Sequence, residues 1–184
     1  MNSATLNSLT VSVLLALLGI AGKYWNDLRI ARRKDRLERV NQQLRELYGP
    51  LSALVEAGSM AWGAFRTRHR PGVNYFSDGN PTSQEDLGAW RLWMLEVFMP
   101  LNLRLESLIL DHADLVDESE MPEGFRLLIA HVTSYKPVLK GWADGNFSEH
   151  LSVIPFPRVQ LEAHVSTTYG RLKREQGMLL GHRA

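Results

Sequence analysis

Apolar residues recur every three or four positions along most of the chain. Between residues 37 and 47 they form one helical stripe, made of Leu37, Val40, Leu44 and Leu47. Similar stripes begin near residues 51, 82, 121 and 157, and no run alternates for long enough to indicate a strand. The pattern predicts an all-α protein in which a first helix continues into a bundle of four to five helices.

Proline and glycine mark the ends of these predicted helices. The dipeptide Gly49–Pro50 should break or kink the first long helix after Tyr48. Thr82 and Glu85 have the spacing of a capping box, which predicts that a helix starts there. Pro100 allows either one kinked helix or two short ones in the next segment, which accounts for the range in helix number.

The segment before the first stripe has the pattern of a membrane anchor. No charged side chain occurs in residues 1–22, and the uncharged run 4–22 would form a helix of roughly 28 Å, close to the ~30 Å hydrocarbon core of a bilayer. Aromatic and basic residues that favour the headgroup level follow, namely Lys23, Tyr24, Trp25, Arg29, Arg32, Arg33 and Lys34. We expect a signal-anchor helix in the inner (cytoplasmic) membrane with the N-terminus outside and the remainder in the cytoplasm. A cleaved signal peptide and a buried helix are the alternatives.

Charge is distributed unevenly along the chain. Residues 1–39 hold seven basic and three acidic side chains, a net charge of +4, and the total of +1 leaves −3 for residues 40–184. The positive part would face the anionic lipids of the inner leaflet, whereas the rest lacks the basic surface of a nucleic-acid binder. The predicted parts are therefore an anchor (1–22), a basic juxtamembrane helix (23–48) and a cytoplasmic bundle (49–184).

Small residues line one side of the predicted anchor. Ser8, Ser12 and Ala16 are four residues apart and Gly19 follows, so two such helices could approach closely. This ridge predicts a homo-oligomer, although small residues are also common in membrane helices for other reasons.

Sequence motifs for catalysis and cofactor binding are sparse. The chain has no cysteine, no glycine-rich phosphate loop and no nucleophile elbow on a strand. The acidic segment 111–118 contains His112 but lacks the Glu-x-x-His pairs of a di-iron bundle. We expect a solvated helix end there, and neither a metal nor a cofactor.

Arg126 and His131, in RLLIAH, have the R-x4-6-H spacing of a catalytic motif. In this motif and in its helical pattern the chain resembles the HEPN superfamily. The resemblance implies that His131 would handle the 2′-hydroxyl proton of RNA and Arg126 would steady the phosphate, at a site shared across a dimer. Chance alone gives about 1.6 such spacings among 16 arginines and six histidines in 184 residues. Since two occur, the second from Arg158 to His164, we expect no nuclease.

The layout of a membrane helix, a helical body and R-x4-H is also similar to the membrane-anchored accessory protein of type VI-B CRISPR systems. That resemblance implies a ring-shaped oligomer with a pore. The segments LYGPL and LKREQGMLLG resemble an uncharacterised group of small single-pass bacterial membrane proteins. We therefore expect a membrane-tethered, oligomeric interaction module with an unknown protein partner and no chemistry of its own. A membrane-bound HEPN-like ribonuclease and a pore-forming defence effector are the alternatives.

Overall fold

Helices are the regular elements of the computed structural model, which describes residues 3–72, 75–76 and 81–181, with side chains from residue 17 onward. The α-helices are α1 (Ser3–Gln42), α2 (Gly49–His69), α3 (Gln84–Trp93), α4 (Met99–Asp111), α5 (Glu123–Ala143) and α6 (Arg158–Leu180). Since these described residues include no strand, the all-α prediction is confirmed.

The chain divides into two compact units. The larger unit covers residues 42–174, and the smaller unit combines residues 1–41 with 175–184. The division after residue 41 precedes the predicted boundary at residue 48, and the end of the chain groups with its beginning.

The core of the larger unit follows the predicted stripes of α5 and α6. Fully or almost fully buried side chains include Phe125, Leu128, Val132, Tyr135, Leu161, Val165 and Leu172. The first turn of α5 approaches the backbone of α6 closely, because a Cβ at Gly124 would lie 2.9 Å from the carbonyl carbon of Gln160. Only glycine fits there, so this contact fixes how the two helices cross.

Two π-turns interrupt the helical ladder, and each ends just before an Xaa-Pro pair. The first π-turn, Gln43–Tyr48, is closed by the Gly49 N–H bonding to the Leu44 carbonyl. The second, Met94–Phe98, is closed by the Met99 N–H bonding to the Met94 carbonyl. Of the two outcomes predicted at Gly49–Pro50, a break or a kink, a break does not occur. Because each π-turn widens the helix by one residue, the proline ring is accommodated and helical structure continues into α2 and α4.

The start of α3 lies one position later than the capping-box prediction. Ser83 is the N-cap, and its hydroxyl accepts a hydrogen bond of 3.1 Å from the Asp86 N–H. Thr82 instead accepts a bond of 2.7 Å from the buried Arg70 guanidinium, which also donates to the Tyr75 carbonyl. Thr82 is thus used to hold the turn after α2 in place.

In the smaller unit, arginines of α1 bind the end of α6. The Arg33 guanidinium donates to the Leu179 carbonyl at 2.9 and 2.7 Å, and Arg36 makes a forked pair with Glu175 at 2.5 and 3.0 Å. Gly181, at φ 81°, terminates the helix immediately afterwards. Arg33 therefore satisfies a carbonyl that the helix itself leaves unpaired.

Among the described residues, none of the helices combines the length and apolar content that a membrane crossing requires. The predicted anchor falls on residues 1–22, of which residues 1–16 lie outside the described side chains. The small-residue positions Ser8, Ser12 and Ala16 belong to that part, whereas Gly19 is exposed.

Candidate functional site

The larger unit contains a cavity of about 310 Å³, within the range of small-molecule sites. Its apolar wall includes Leu54, Val55, Trp62, Trp90, Met94, Phe98, Leu101, Leu105, Tyr135, Leu151 and Phe156. The polar groups among its lining are few: Ser59, Asn102, His131, Ser152, Arg158 and Glu162. Interiors rarely leave voids larger than a water molecule, so a space of this size in a small bundle is a candidate binding site.

Three aromatic rings from three elements form one side of the cavity. Trp62 of α2 lies edge-on to Trp90 of α3 at 6.0 Å between ring centroids, and edge-on to Phe98 at 5.9 Å. Phe98 belongs to the second π-turn, so the extra residue of that turn helps to set which side chains enter the wall. Contacts of this geometry favour a rigid aromatic surface.

The loop of residues 144–157 also borders the cavity and contributes Leu151, Ser152 and Phe156 to its lining. Its backbone is held by aromatic donors. The Trp90 indole donates to the His150 carbonyl at 2.8 Å and the Tyr135 hydroxyl donates to the same oxygen at 2.7 Å. The Trp142 indole donates to the Glu149 carbonyl at 2.7 Å. Donors from α3 and α5 thus hold two neighbouring main-chain carbonyls of the loop.

His131 is a buried titratable group in the cavity lining, with 4% of its surface exposed. Its Nδ1 lies 2.7 Å from the Ile154 carbonyl and 3.2 Å from the Ser152 hydroxyl, which itself donates to Ile154 at 2.5 Å. Its Nε2 is buried and has no hydrogen-bond partner among the residues that the structure describes. Burial lowers the pKa of His131, against a smaller opposing effect of the Ile154 hydrogen bond, so the ring is neutral near pH 7.

Charged side chains lie at the exposed rim of the cavity. Arg158 is 3.8 Å from Glu162, and the two side chains are 39% and 40% exposed. The Arg158 guanidinium also lies over the Trp62 ring at 5.8 Å, and Ser59 donates to Glu162. The rim therefore carries one positive and one negative group that largely offset each other.

The structure does not assemble the predicted catalytic pair within one chain. Arg126 is exposed on α5, whereas His131 is buried and bonded to the loop. Five residues along a helix correspond to roughly 140° of rotation, so the two side chains point in different directions. In the second spacing, Arg158 lies at the cavity rim, but His164 packs between Tyr48 and Phe125. Within one chain, therefore, neither pair brings its two side chains to the same place.

The predicted membrane-interface residues all lie on the surface of α1. Lys23, Tyr24, Trp25, Arg29, Arg32, Arg33 and Lys34 are exposed, and Arg33 also binds Leu179 as described above. In the acidic segment 111–118, Asp111 accepts a hydrogen bond of 2.7 Å from the Ser107 hydroxyl of the preceding helical turn. His112 of the same segment lies 3.9 Å from Glu46. No group of three or more potential metal ligands occurs among the residues described.

Sequence patterns missed the cavity because its lining comes from every helix after α1 and from an irregular loop. The two tryptophans and the one tyrosine of its wall have the spacing of ordinary core residues. Comparison of the chain with models of known protein families, with curated proteins and with solved structures finds no match. The site is therefore interpreted from its own geometry.

Proposed function

We propose that this protein is a membrane-tethered binding module that holds an apolar small molecule in the cavity of its helical bundle. The observation that carries the proposal is a largely apolar cavity of about 310 Å³ whose lining includes only a few polar side chains, among them Asn102 and His131. Small-molecule sites commonly pair apolar walls with a few polar groups that orient the ligand. This function accounts for the cavity without requiring a reaction.

A glycine pair on α2 provides a matched test of cavity binding. Gly58 lines the cavity, and a Cβ built there meets nothing within 4 Å, so Gly58→Leu would extend into the open space without a backbone clash. Gly63 lies on the same helix, is exposed and is equally unobstructed. We expect Gly58→Leu to abolish binding of 2-naphthol, an apolar fluorescent probe, and Gly63→Leu to leave it unchanged. Equal binding by both variants would contradict a ligand site in this cavity.

The membrane tether is supported by the exposed surface of α1 and by the charge step at Lys23. Leu17, Leu18, Ile20, Tyr24 and Trp25 are 58–70% exposed, although large apolar side chains are usually covered. The basic residues that follow favour the inner membrane, with the N-terminus outside and the bundle in the cytoplasm, next to anionic lipids. A reporter fused after Ala184 should be active only if it is of a cytoplasmic type. Activity of a periplasm-only reporter would refute this orientation, and extraction by carbonate would refute the anchor.

We further propose that tethered copies associate as a homo-oligomer through the ridge of Ser8, Ser12, Ala16 and Gly19. The support is the sequence spacing, together with the higher effective concentration that confinement to a membrane gives. Replacing Ser12 and Ala16 by leucine should lower the mass of the full-length protein in nanodiscs. Native mass spectrometry at several protein concentrations measures this, and a strictly monomeric wild type would end the proposal.

A further inference from the structure

We propose that the ligand of the cavity is a neutral aromatic amide whose N–H and C=O point to the same side, such as a lactam, and that it pairs with the side-chain amide of Asn102. This inference rests on the proposed binding function, and it specifies the chemical class that the cavity selects.

The first step is the position of Asn102 on α4. Phe98 precedes it by four residues and Leu105 follows it by three, so the three share one face of the helix, and all three line the cavity. Two neighbouring helices, α2 and α5, pack against α4 and contribute further lining residues. The Asn102 side chain therefore lies on the cavity-facing side of α4, among apolar neighbours.

The second step is that this amide is available to a ligand. Asn102 is 7% exposed, and its side chain makes no hydrogen bond with any of the residues that the structure describes. Neither its oxygen nor its nitrogen is among the fully enclosed polar atoms that lack a partner in this part of the chain, so a molecule the size of water can reach both atoms. Since the residue is otherwise buried and lines the cavity, that access is from the cavity. Buried polar groups nearly always have partners, so this unpaired amide marks where the polar part of a ligand would bind.

The third step is what a carboxamide selects. It presents an acceptor oxygen and an NH₂ donor side by side, and turning the amide by 180° only exchanges the two. A ligand satisfies both atoms at once if its own donor and acceptor are adjacent, as in a carboxylic acid or a lactam. A carboxylic acid is ionised at pH 7 and has then lost its donor. An open-chain secondary amide is trans and directs its N–H and C=O to opposite sides, whereas a ring holds them on the same side.

The charges at the rim also favour a neutral ligand. Arg158 lies 3.8 Å from Glu162, so the positive charge is offset and an anion gains little advantage there. The polar group of the ligand is accordingly a neutral donor and acceptor pair.

The fourth step is the apolar part of the ligand. Trp62, Trp90 and Phe98 meet at 5.8–6.0 Å and form a rigid wall of ring faces and edges. Because Phe98 lies one helical turn before Asn102, this wall begins next to the amide. A planar ring can pack on such a surface with offset or edge-on contacts, which a flexible alkyl chain cannot do as well. A cavity of about 310 Å³ is small for a ligand site, which favours a compact ring system.

Two probes of nearly the same shape test this inference. 2-Quinolinone and coumarin share two fused rings and a carbonyl, but coumarin has a ring oxygen where 2-quinolinone has the N–H. Binding to the full-length protein in nanodiscs is measured by equilibrium dialysis at pH 7, with empty nanodiscs subtracted to remove partitioning into lipid. We expect 2-quinolinone to bind about tenfold more tightly, as one hydrogen bond allows.

The outcomes separate this inference from the proposed function. Equal binding of the two probes, or binding of 2-naphthol alone, would overturn the inference while leaving cavity binding intact. Failure of all three compounds to bind would refute the proposed function itself.

The variant Asn102→Leu replaces the amide by an apolar side chain of similar size. We expect N102L to bind 2-quinolinone and coumarin equally, because neither probe then finds an amide partner. Thr168→Val is the matched control, since Thr168 is also a buried polar residue, 5% exposed, but lies on α6 outside the cavity lining. A tenfold preference that persists in N102L, or that is lost in T168V as well, would overturn the role of Asn102.

A measurement on the wild type keeps the test decisive if N102L does not fold. In protein whose asparagines carry ¹³C at the side-chain amide carbon, a difference infrared spectrum records the C=O stretch of these amides. Binding of 2-quinolinone should lower the frequency of one such stretch, because the Asn102 oxygen gains a hydrogen-bond donor. Coumarin has no N–H and should leave the frequency close to that of the unbound protein. An equal response to both probes would also overturn the inference.

Discussion

Replacing Gly49 by alanine should destabilise the protein, although the same change elsewhere in α2 should stabilise it. Gly49 closes the first π-turn through its N–H, which bonds to the Leu44 carbonyl. A Cβ built on Gly49 would collide with that same carbonyl oxygen. At Gly63 a Cβ meets nothing within 4 Å. The two glycines therefore separate the intrinsic helix preference from the geometry of the π-turn.

The expected magnitudes follow from two opposing effects. Alanine is favoured over glycine inside a helix by about 1 kcal/mol, so Gly63→Ala should stabilise by about that amount. Gly49→Ala gains the same preference, but it must break the bond to Leu44 or distort the backbone, at a cost of about 2–3 kcal/mol. The net loss is about 1–2 kcal/mol, and the two variants should differ by about 2–3 kcal/mol. For a chain of this size that corresponds to roughly 4–12 °C in Tm.

Thermal and urea unfolding of both variants, followed by circular dichroism, measures this difference. A difference of this size is expected only if the Gly49–Pro50 pair requires the π-turn. If Gly49→Ala proved as stable as Gly63→Ala, the turn could close as an ordinary α-helix, and its role in positioning α2 would be refuted.

Two further predictions concern the histidines and the loop. Burial lowers the pKa of His131, His150 and His164, so these histidines bind protons more readily in the unfolded chain than in the folded protein. The free energy of unfolding should therefore fall as the pH drops below about 6.5, by at most about 1.4 kcal/mol per pH unit for each histidine. Urea midpoints between pH 5 and 8 test this, with H131N expected to reduce the slope; a flat profile would contradict it. Trp142→Phe keeps an aromatic ring but loses the indole N–H that bonds to Glu149 and part of the buried volume, so we expect a loss of at least about 1 kcal/mol and faster proteolysis within residues 144–157. Trp25→Phe, at a 70% exposed position, should change neither quantity.

Helical periodicity predicted most of the fold because each stripe corresponds to one buried face. The stripe of α5 is an example, since Phe125, Leu128 and Val132 are fully buried as their spacing indicates. The π-turn before Gly49–Pro50 was not predicted, although it adds one residue to the helix and rotates every later side chain by roughly 100°. Local sequence rules treat proline as a break and do not anticipate a wider turn that accommodates it.

The candidate site could not be predicted in the same way. The R-x4-H motif did identify His131, but with Arg126 as its partner, whereas burial and the bond to Ile154 give this histidine a different environment. Ile154 and Ser152 lie in a loop without periodicity, and no sequence pattern places them beside α5. The tautomer of His131 depends on that tertiary contact, so the protonated nitrogen of its ring could be assigned only from the structure.

The anchoring of the loop leaves its side chains open to change. The bonds from Trp90, Tyr135 and Trp142 all end on main-chain carbonyls, at His150 and Glu149. Every amino acid supplies such a carbonyl, so these bonds place no demand on which side chains the loop carries. Leu151, Ser152 and Phe156 could then be exchanged as a set while the helices keep the cavity open. A library confined to these three positions would offer a route to variants of this bundle with new ligand preferences.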